Sequence, residues 1–449
     1  MAAAVKSTID HYLSRFEARE KTETRREPAW LREIRKEAIA RFVERGFPTL
    51  RDEEWRYTNV SAIAEAIFQE TPSLKRNPTR KELTPFLFSE MKGYHLVFIN
   101  GIFSKSLSTV PSSLKGVKMV SLAEILATDP ACLEPYFARK GSDEENPFAA
   151  LNTAFARDGA YIYIPKETAL DKPIHLLFYN TSGTGEPIVS YPRILLVAGR
   201  ESKVTVIEHY AGAAGETYLT GAVTEIVSGE NTVIDHYKLQ RESEAGYHFS
   251  TMLAQLDANC RFTSNSVNLG GAMSRNDLNV LLDAEGIDCV LNGLSMIAGR
   301  QHVDNRLRVE HAKPHCRSVE LFKYVLDGKA RGVFRGTIHV HPNAQKTDAK
   351  QTNKNLLLSD EAEVDTLPQL EIYADDVKCT HGATVGQLDE NELFYLRSRG
   401  IDLETARNLL TFAFAGDIVH RIRINEIRSE IDKLLFARLP KCHILEKVS

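Results

Sequence analysis

The motifs absent from this sequence narrow its chemistry first. There is no GxxxxGK(S/T) phosphate loop, no GxGxxG turn, no GxSxG elbow and no HExxH pair, so the common self-contained routes to nucleotide hydrolysis, dinucleotide binding, acyl transfer and zinc proteolysis lack support. The six cysteines include no CxxC pair, which argues against a disulfide framework or a four-thiolate site within one chain, and reduced thiols are expected. No apolar run approaches the ~18 residues a membrane helix needs. A surplus of one charge is missing too: 56 basic against 60 acidic residues give a net charge of −4, too little to draw in nucleic acid. The start, MAAAVKSTIDHYLSRFEAREK, is broken by charge before an apolar core forms, so no signal peptide and a cytoplasmic location are expected.

With 43% hydrophobic and 26% charged residues, the chain has the makings of an ordinary folded core. From Val5 to about Phe68 the pattern is helical, with Trp30, Leu31, Ile34, Ala38, Phe42 and Val43 recurring at three and four, and Gly46 and Pro48 stopping it. A polar stretch at 71–82, a strand at 94–100 and helical segments near 121–138 and 147–157 follow. From Ala160 to about Gly386 the chain turns to short runs of Val, Ile, Leu, Thr and Tyr between Gly, Asn, Asp and Pro. Turn-like tripeptides centred on Ser202, Glu230, Ala258, Gly286, Pro314 and Pro342 recur at one constant interval, which suits one coil of a parallel β-helix. VIEHY at 206–210 and VIDHY at 233–237 point the same way. After Gly386 helical spacing returns. The expected architecture is therefore mainly β with α ends: residues 1–160 helical and mixed, 161–386 a right-handed parallel β-helix core, and 387–449 a helical partner-binding domain. An irregular β-sandwich is the competing fold.

Thiol and imidazole side chains supply the candidate chemistry, because they suit iron, zinc and iron–sulfur clusters. Cys379 and His381 stand two apart in DDVKCTHGATVG, so on a strand they share a face. His339 and His341 repeat that spacing, and His311, His315 and Cys316 lie close in sequence. Residues 360–376 hold seven acids and no Lys or Arg, readable as a cation-attracting site or, more simply, as a solvated rim. Cys260 and Cys316 share a phase of the repeat and read as core thiols, while Cys289, displaced by one, is expected to face the other side. In the last helices, Phe394, Tyr395, Arg397, Arg399, Gly400 and Phe412 form the aromatic and arginine mixture that partner interfaces enrich.

GFPTLRDEEWRYTNV at 46–60 and VKCTHGATVGQLDENELFYLRSRGIDLETARNLLTFAFA at 377–415 carry a resemblance to the SufB/SufD family of the SUF iron–sulfur cluster assembly system, and to its SufD branch more than to SufB. The resemblance implies a non-catalytic scaffold subunit that helps iron entry. It pairs with a SufB paralogue through the β-helices and holds the SufC ATPase on its C-terminal helices. By itself it binds no cofactor tightly; a nascent iron–sulfur cluster or iron sits at the interface with SufB. His381, the histidine of the family's CxHGATVG motif, is the implied ligand, with Cys379 beside it. A homodimer of the isolated chain is allowed, whereas nucleic-acid and membrane partners are not implied. The alternatives are a SufB-like paralogue and a β-helix polysaccharide enzyme. Because solenoid coils contact only their neighbours, the β core is expected to stay folded without residues 389–449.

Overall fold

The structure is a computed structural model that describes residues 2–22, 27–70, 78–88, 90–111, 114–138, 146–183 and 185–439. Residues 71–77 of the expected polar stretch lie outside it. From Arg193 to Gly386 successive strands alternate between two sheets, the first taken up by Arg193–Ala198 and the second by Lys203–Gly212, and each strand pairs in parallel with the strand two further along the chain. Period-2 alternation on each strand sends one set of side chains between the sheets, where Leu176, Val206, Ile226, Phe262, Leu291, Leu307, Phe322 and Phe334 share one continuous core. This is the parallel β-helix expected from the repeat.

The coil length is not constant, as the repeat had suggested. Tyr247 pairs with Met273, a shorter coil than the interval between turn centres, and Arg331 pairs with Glu363, a longer one. Five of the six turn-like tripeptides do hold the residue that turns the corner: Glu201, Asn231, Asn259, Gly286 and His315 all have positive φ. At the sixth corner that residue is Lys346, because the corner is longer. The similarity of VIEHY and VIDHY is out of register, since Val206 pairs with His236 rather than with Val233. Cys289 does not face away. Arg261 pairs with Asp288, and this slightly shortened coil restores the pleat, so that Cys260, Cys289 and Cys316 all enter the core. The described cysteines are all free thiols.

Helices cover the outer faces. The N-terminal helices Ala2–Thr22 and Ala29–Arg45, with the helix Pro147–Phe155, pack Tyr12, Phe16, Phe42 and Phe148 on Leu219 and Phe249 of the first sheet and on Tyr191 in the connection between two of its strands. The signature segment at 46–60 is the clip that fixes this layer. Trp55 lies under the Arg275 guanidinium, 3.7 Å from its carbon to the ring centroid, and against Phe148 and Phe249. Arg275 also bonds the Glu54 carbonyl and Asp304, and Asp304 accepts from the Thr58 hydroxyl at 2.6 Å. Trp55→Ala is expected to cost about 3–5 kcal/mol of stability, read as a lowered denaturant midpoint; a midpoint within error of the parent's would remove the clip from the account.

The C-terminal helices Leu403–Val419 and Asn425–Arg438 lie across the outer face of the second sheet. Ile418, Val419, Ile427, Ile431 and Leu435 pack there on Ile207, Tyr237, Leu239, Val267, Leu294 and Leu356. They thus span most of the solenoid rather than ending on its last coil, and this shared packing counts against the expectation that the β core folds without residues 389–449.

The two ends of the solenoid differ. Before the parallel stack begins, the short antiparallel strands Lys118–Ser121 and Ile102–Phe103 close its sheets. At the far end the strands Glu363–Ile372 and Lys378–Gly386 are the last in their sheets, and no described strand follows.

Candidate functional site

Register places the signature histidine. Glu320, Gln351 and His381 occupy one row of the second sheet on three successive coils. The constant interval between turn centres, applied backwards from His381, would reach Asn353 and Val325 instead, so the two polar residues beneath it were not legible from the repeat. Gln351 is buried and faces inward, and its amide lies against Gly336 of the opposite sheet, where an added Cβ would come within 2.3 Å of Nε2. His381 shares that inward face and is nonetheless exposed, because no coil covers it. Cys379, two residues earlier on the same face, is half-buried beside Ala349, Ile338 and Val340.

Below them, the Glu320 carboxylate has no access to solvent and accepts a 2.6 Å hydrogen bond from Gln351 Nε2. Burial pushes its pKa up to about 8, only partly opposed by that bond, so it is a neutral acid at pH 7. Burial likewise raises the Cys379 thiol, which stays protonated until a cation or metal takes the proton's place. One imidazole over an uncharged polar floor and one thiol over an apolar one therefore share the inward face of the open end. Together they offer two donors, fewer than a cluster requires, so any cluster held here needs ligands from outside the chain. Ile372, Tyr373 and Val385 are exposed in the same last coil. Apolar side chains beside unpaired strand edges form a surface suited to another strand or sheet.

The other sequence candidates separate. His311 turns inward to Ser318 at 2.9 Å, His315 is exposed at a corner, and Cys316 is in the core, so that trio does not assemble. The acidic stretch is largely matched by the preceding coil: Glu361 pairs with Lys329, Asp365 with Arg331 and Asp376 with Lys346. It behaves as a rim. His339 and His341 do come together, with Glu310 and Glu371 from neighbouring coils, a convergence hidden in sequence because a full coil separates each acid from the histidines.

In the helix Glu390–Ser398, capped by Asp389, no residue is buried. Phe394 is 74% exposed and Tyr395 58%, with Arg399 over the Tyr395 ring at 5.3 Å. Arg397 is exposed, and Gly400, at φ +86°, ends the segment. Phe412 is instead half-buried, stacked on Phe436 at 4.4 Å.

Comparison with known proteins gives two adjoining family matches. Residues 179–414 match the SUF system FeS cluster assembly SufBD core domain, and residues 6–176 match the SufBD protein N-terminal region. The chain is 35% identical over 399 residues to an iron–sulfur cluster assembly SufBD family protein of Synechocystis sp., covering 87% of each chain. It is 31% identical to the iron–sulfur cluster assembly protein SufD of Escherichia coli, over 90% of this chain and 92% of that one. It is 23% identical to SufD of Bacillus subtilis, over 96% and 98%.

Proposed function

Because this chain belongs to the SufBD family of iron–sulfur cluster assembly proteins, we propose that it is the SufD-like subunit of a SUF scaffold, presenting His381 and Cys379 to iron or a nascent cluster at an interface with a SufB paralogue. The observation that carries this reading is the bare last coil, where a signature imidazole stands exposed on what would otherwise be an interior face. A partner β-helix adding its own last coil would bury His381, Cys379, Ile372 and Val385 and bring the missing ligands. The metal is cargo passing through this joint rather than a resident cofactor, and the chain's part is to position two donors and exclude water. With no phosphate-cradling loop, the subunit is non-catalytic, and ATP hydrolysis falls to a SufC ATPase held by Phe394, Tyr395, Arg397 and Arg399. Without SufB, the same bare end would pair two copies of this chain. The work is cytoplasmic in this reading; no helix among the described residues is long and apolar enough to cross a membrane.

The test is co-expression with SufB and SufC chains, followed by anaerobic measurement of iron and sulfide bound to the purified complex. His381→Ala is expected to leave the complex assembled and its thermal transition unchanged, because the ring packs against no covering coil, while lowering bound iron and sulfide at least about tenfold, the scale of losing a ligand or its support. A His381→Ala complex loaded like the parent would defeat the assignment.

A further inference from the structure

A second set of donors lies outside the solenoid, on the outer face of the first sheet at the corner that leads to the second. Glu310, His339 and Glu371 stand in one row of three successive strands, His302–His311, Arg331–Val340 and Glu363–Ile372, and His341 follows at the start of the turn. One donor atom from each of Glu310, His339 and His341 lies within 4.8 Å of the others. His341 Nε2 is 2.6 Å from Glu310 Oε1, and His339 Nδ1 is 2.7 Å from Glu371 Oε2. The other Glu371 oxygen accepts from Gln369 Nε2 at 3.0 Å. Tyr373 shields one side of the His339 ring, at 5.4 Å between centroids. The nearest paired cation, Arg308, reaches Glu310 only at 3.9 Å.

We propose that Glu310, His339 and His341 bind a first-row divalent transition metal of the Fe2+ or Zn2+ kind, with Glu371 as the carboxylate that orients His339. Two imidazoles and a carboxylate with one donor atom each inside 4.8 Å form a donor set that suits these ions and disfavours Mg2+ and Ca2+, which take oxygen ligands. With Nδ1–H donated to Glu371, His339 presents the Nε2 lone pair, the arrangement in which a carboxylate fixes the tautomer and orientation of a ligating histidine. Two ordinary surface His–Glu contacts would explain each pair alone, but they contribute little to stability and give no reason for donor atoms of both imidazoles to lie within 4.8 Å of one carboxylate. The strand carrying His339 also separates this site from the bare end: Ile338 and Val340, on its opposite face, pack in the small cluster that contains Cys379. The inference does not rest on the partner reading and can be tested without a partner.

The experiment uses the full chain, stripped with chelator and kept anaerobic, titrated with Co2+ as a spectroscopic probe and with Fe2+, Zn2+ and Mg2+ by calorimetry. One saturable site for Co2+, Fe2+ and Zn2+ is expected, with no matching Mg2+ site. His339→Ala/His341→Ala should weaken it at least about a hundredfold and Glu371→Gln about tenfold, whereas Cys379→Ser and His381→Ala leave it unchanged. Glu310→Gln, which keeps the hydrogen-bonding shape, provides the same reading should the double variant fold poorly. No saturable binding by the parent chain, parent-like titration by the histidine or Glu310 variants, or loss of binding in the Cys379 and His381 variants would each overturn the site.

Discussion

A chain lacking residues 389–449 is expected to come out insoluble or as a soluble aggregate, not as a folded β-helix. The reason is area. Ile207, Tyr237, Leu239, Val267, Leu294, Met296, Leu321, Val325 and Leu356 lie on neighbouring strands of the second sheet and share one buried cluster with the two long C-terminal helices, to which the N-terminal part adds only Phe88 and Met91 among the described residues. Exposing them together creates an apolar patch far larger than the few hundred Å2 a monomer tolerates. Lys323 would also lose Asp417, 2.8 Å away, and the Phe414 carbonyl. Docking of an ATPase is therefore better tested with Phe394→Ala/Tyr395→Ala, which removes two exposed rings and leaves the covered sheet alone. That variant should keep the parent's thermal transition and lose the partner in co-purification. Soluble, monodisperse truncated protein with a cooperative transition would show that the helices are not part of the core.

The second large effect is on pH dependence. The Glu320 carboxyl, near pKa 4.5 in the unfolded chain and about 8 when folded, binds a proton in the native state that the unfolded chain has already lost between those values. Its contribution is complete below pH ~4.5 and disappears as pH rises through about 8. Glu320→Gln removes that loss and should be more stable than the parent at pH 8 by roughly 4 kcal/mol, a figure set by the size of the shift, with little advantage at pH 4.5. His302 and His311 work in the opposite sense. Burial holds both near 4, so each costs stability as pH falls from ~6.5 towards 4, where the unfolded chain takes up protons that the folded one refuses. From these three groups a maximum near pH 6.5 is expected, with Glu320→Gln flattening the alkaline limb and steepening the acid limb above pH ~4.5. Parallel pH profiles for parent and variant, measured by urea unfolding, would mean that Glu320 is ionised in the folded state.

The parts of the fold that follow local rules could be read in the sequence. Helical periodicity located the ends, and the corners of the solenoid were visible because left-handed backbone favours Asn and Gly and sits in polar clusters. What could not be read was register. Coils of unequal length keep their corners roughly periodic while sliding the partners along the strand, and a slip of a single position reverses which face a side chain occupies. Cys289 was misplaced for that reason, and Gln351 and Glu320 were missed beneath His381. The convergence of Glu310, His339 and His341 depends on the same register. His381 itself was legible because its motif lies within one strand and needs no partner coil to be recognised.

The unequal closure of the solenoid also limits how far assembly can go. A stack whose two ends were both open could add copies without limit, each new end offering the same edge as the last, and would grow into a fibre. Here the first end is finished by Ile102–Phe103 and Lys118–Ser121, strands too short and of the wrong direction to template another parallel coil. Joining two last coils uses up the open end of each, so the growing object has nowhere left to elongate. In the proposed pairing, a stoichiometry of two along the solenoid axis would follow from a pair of short strands at the opposite end of the fold, and lengthening those strands in the parallel sense would turn a closed pair into a polymer.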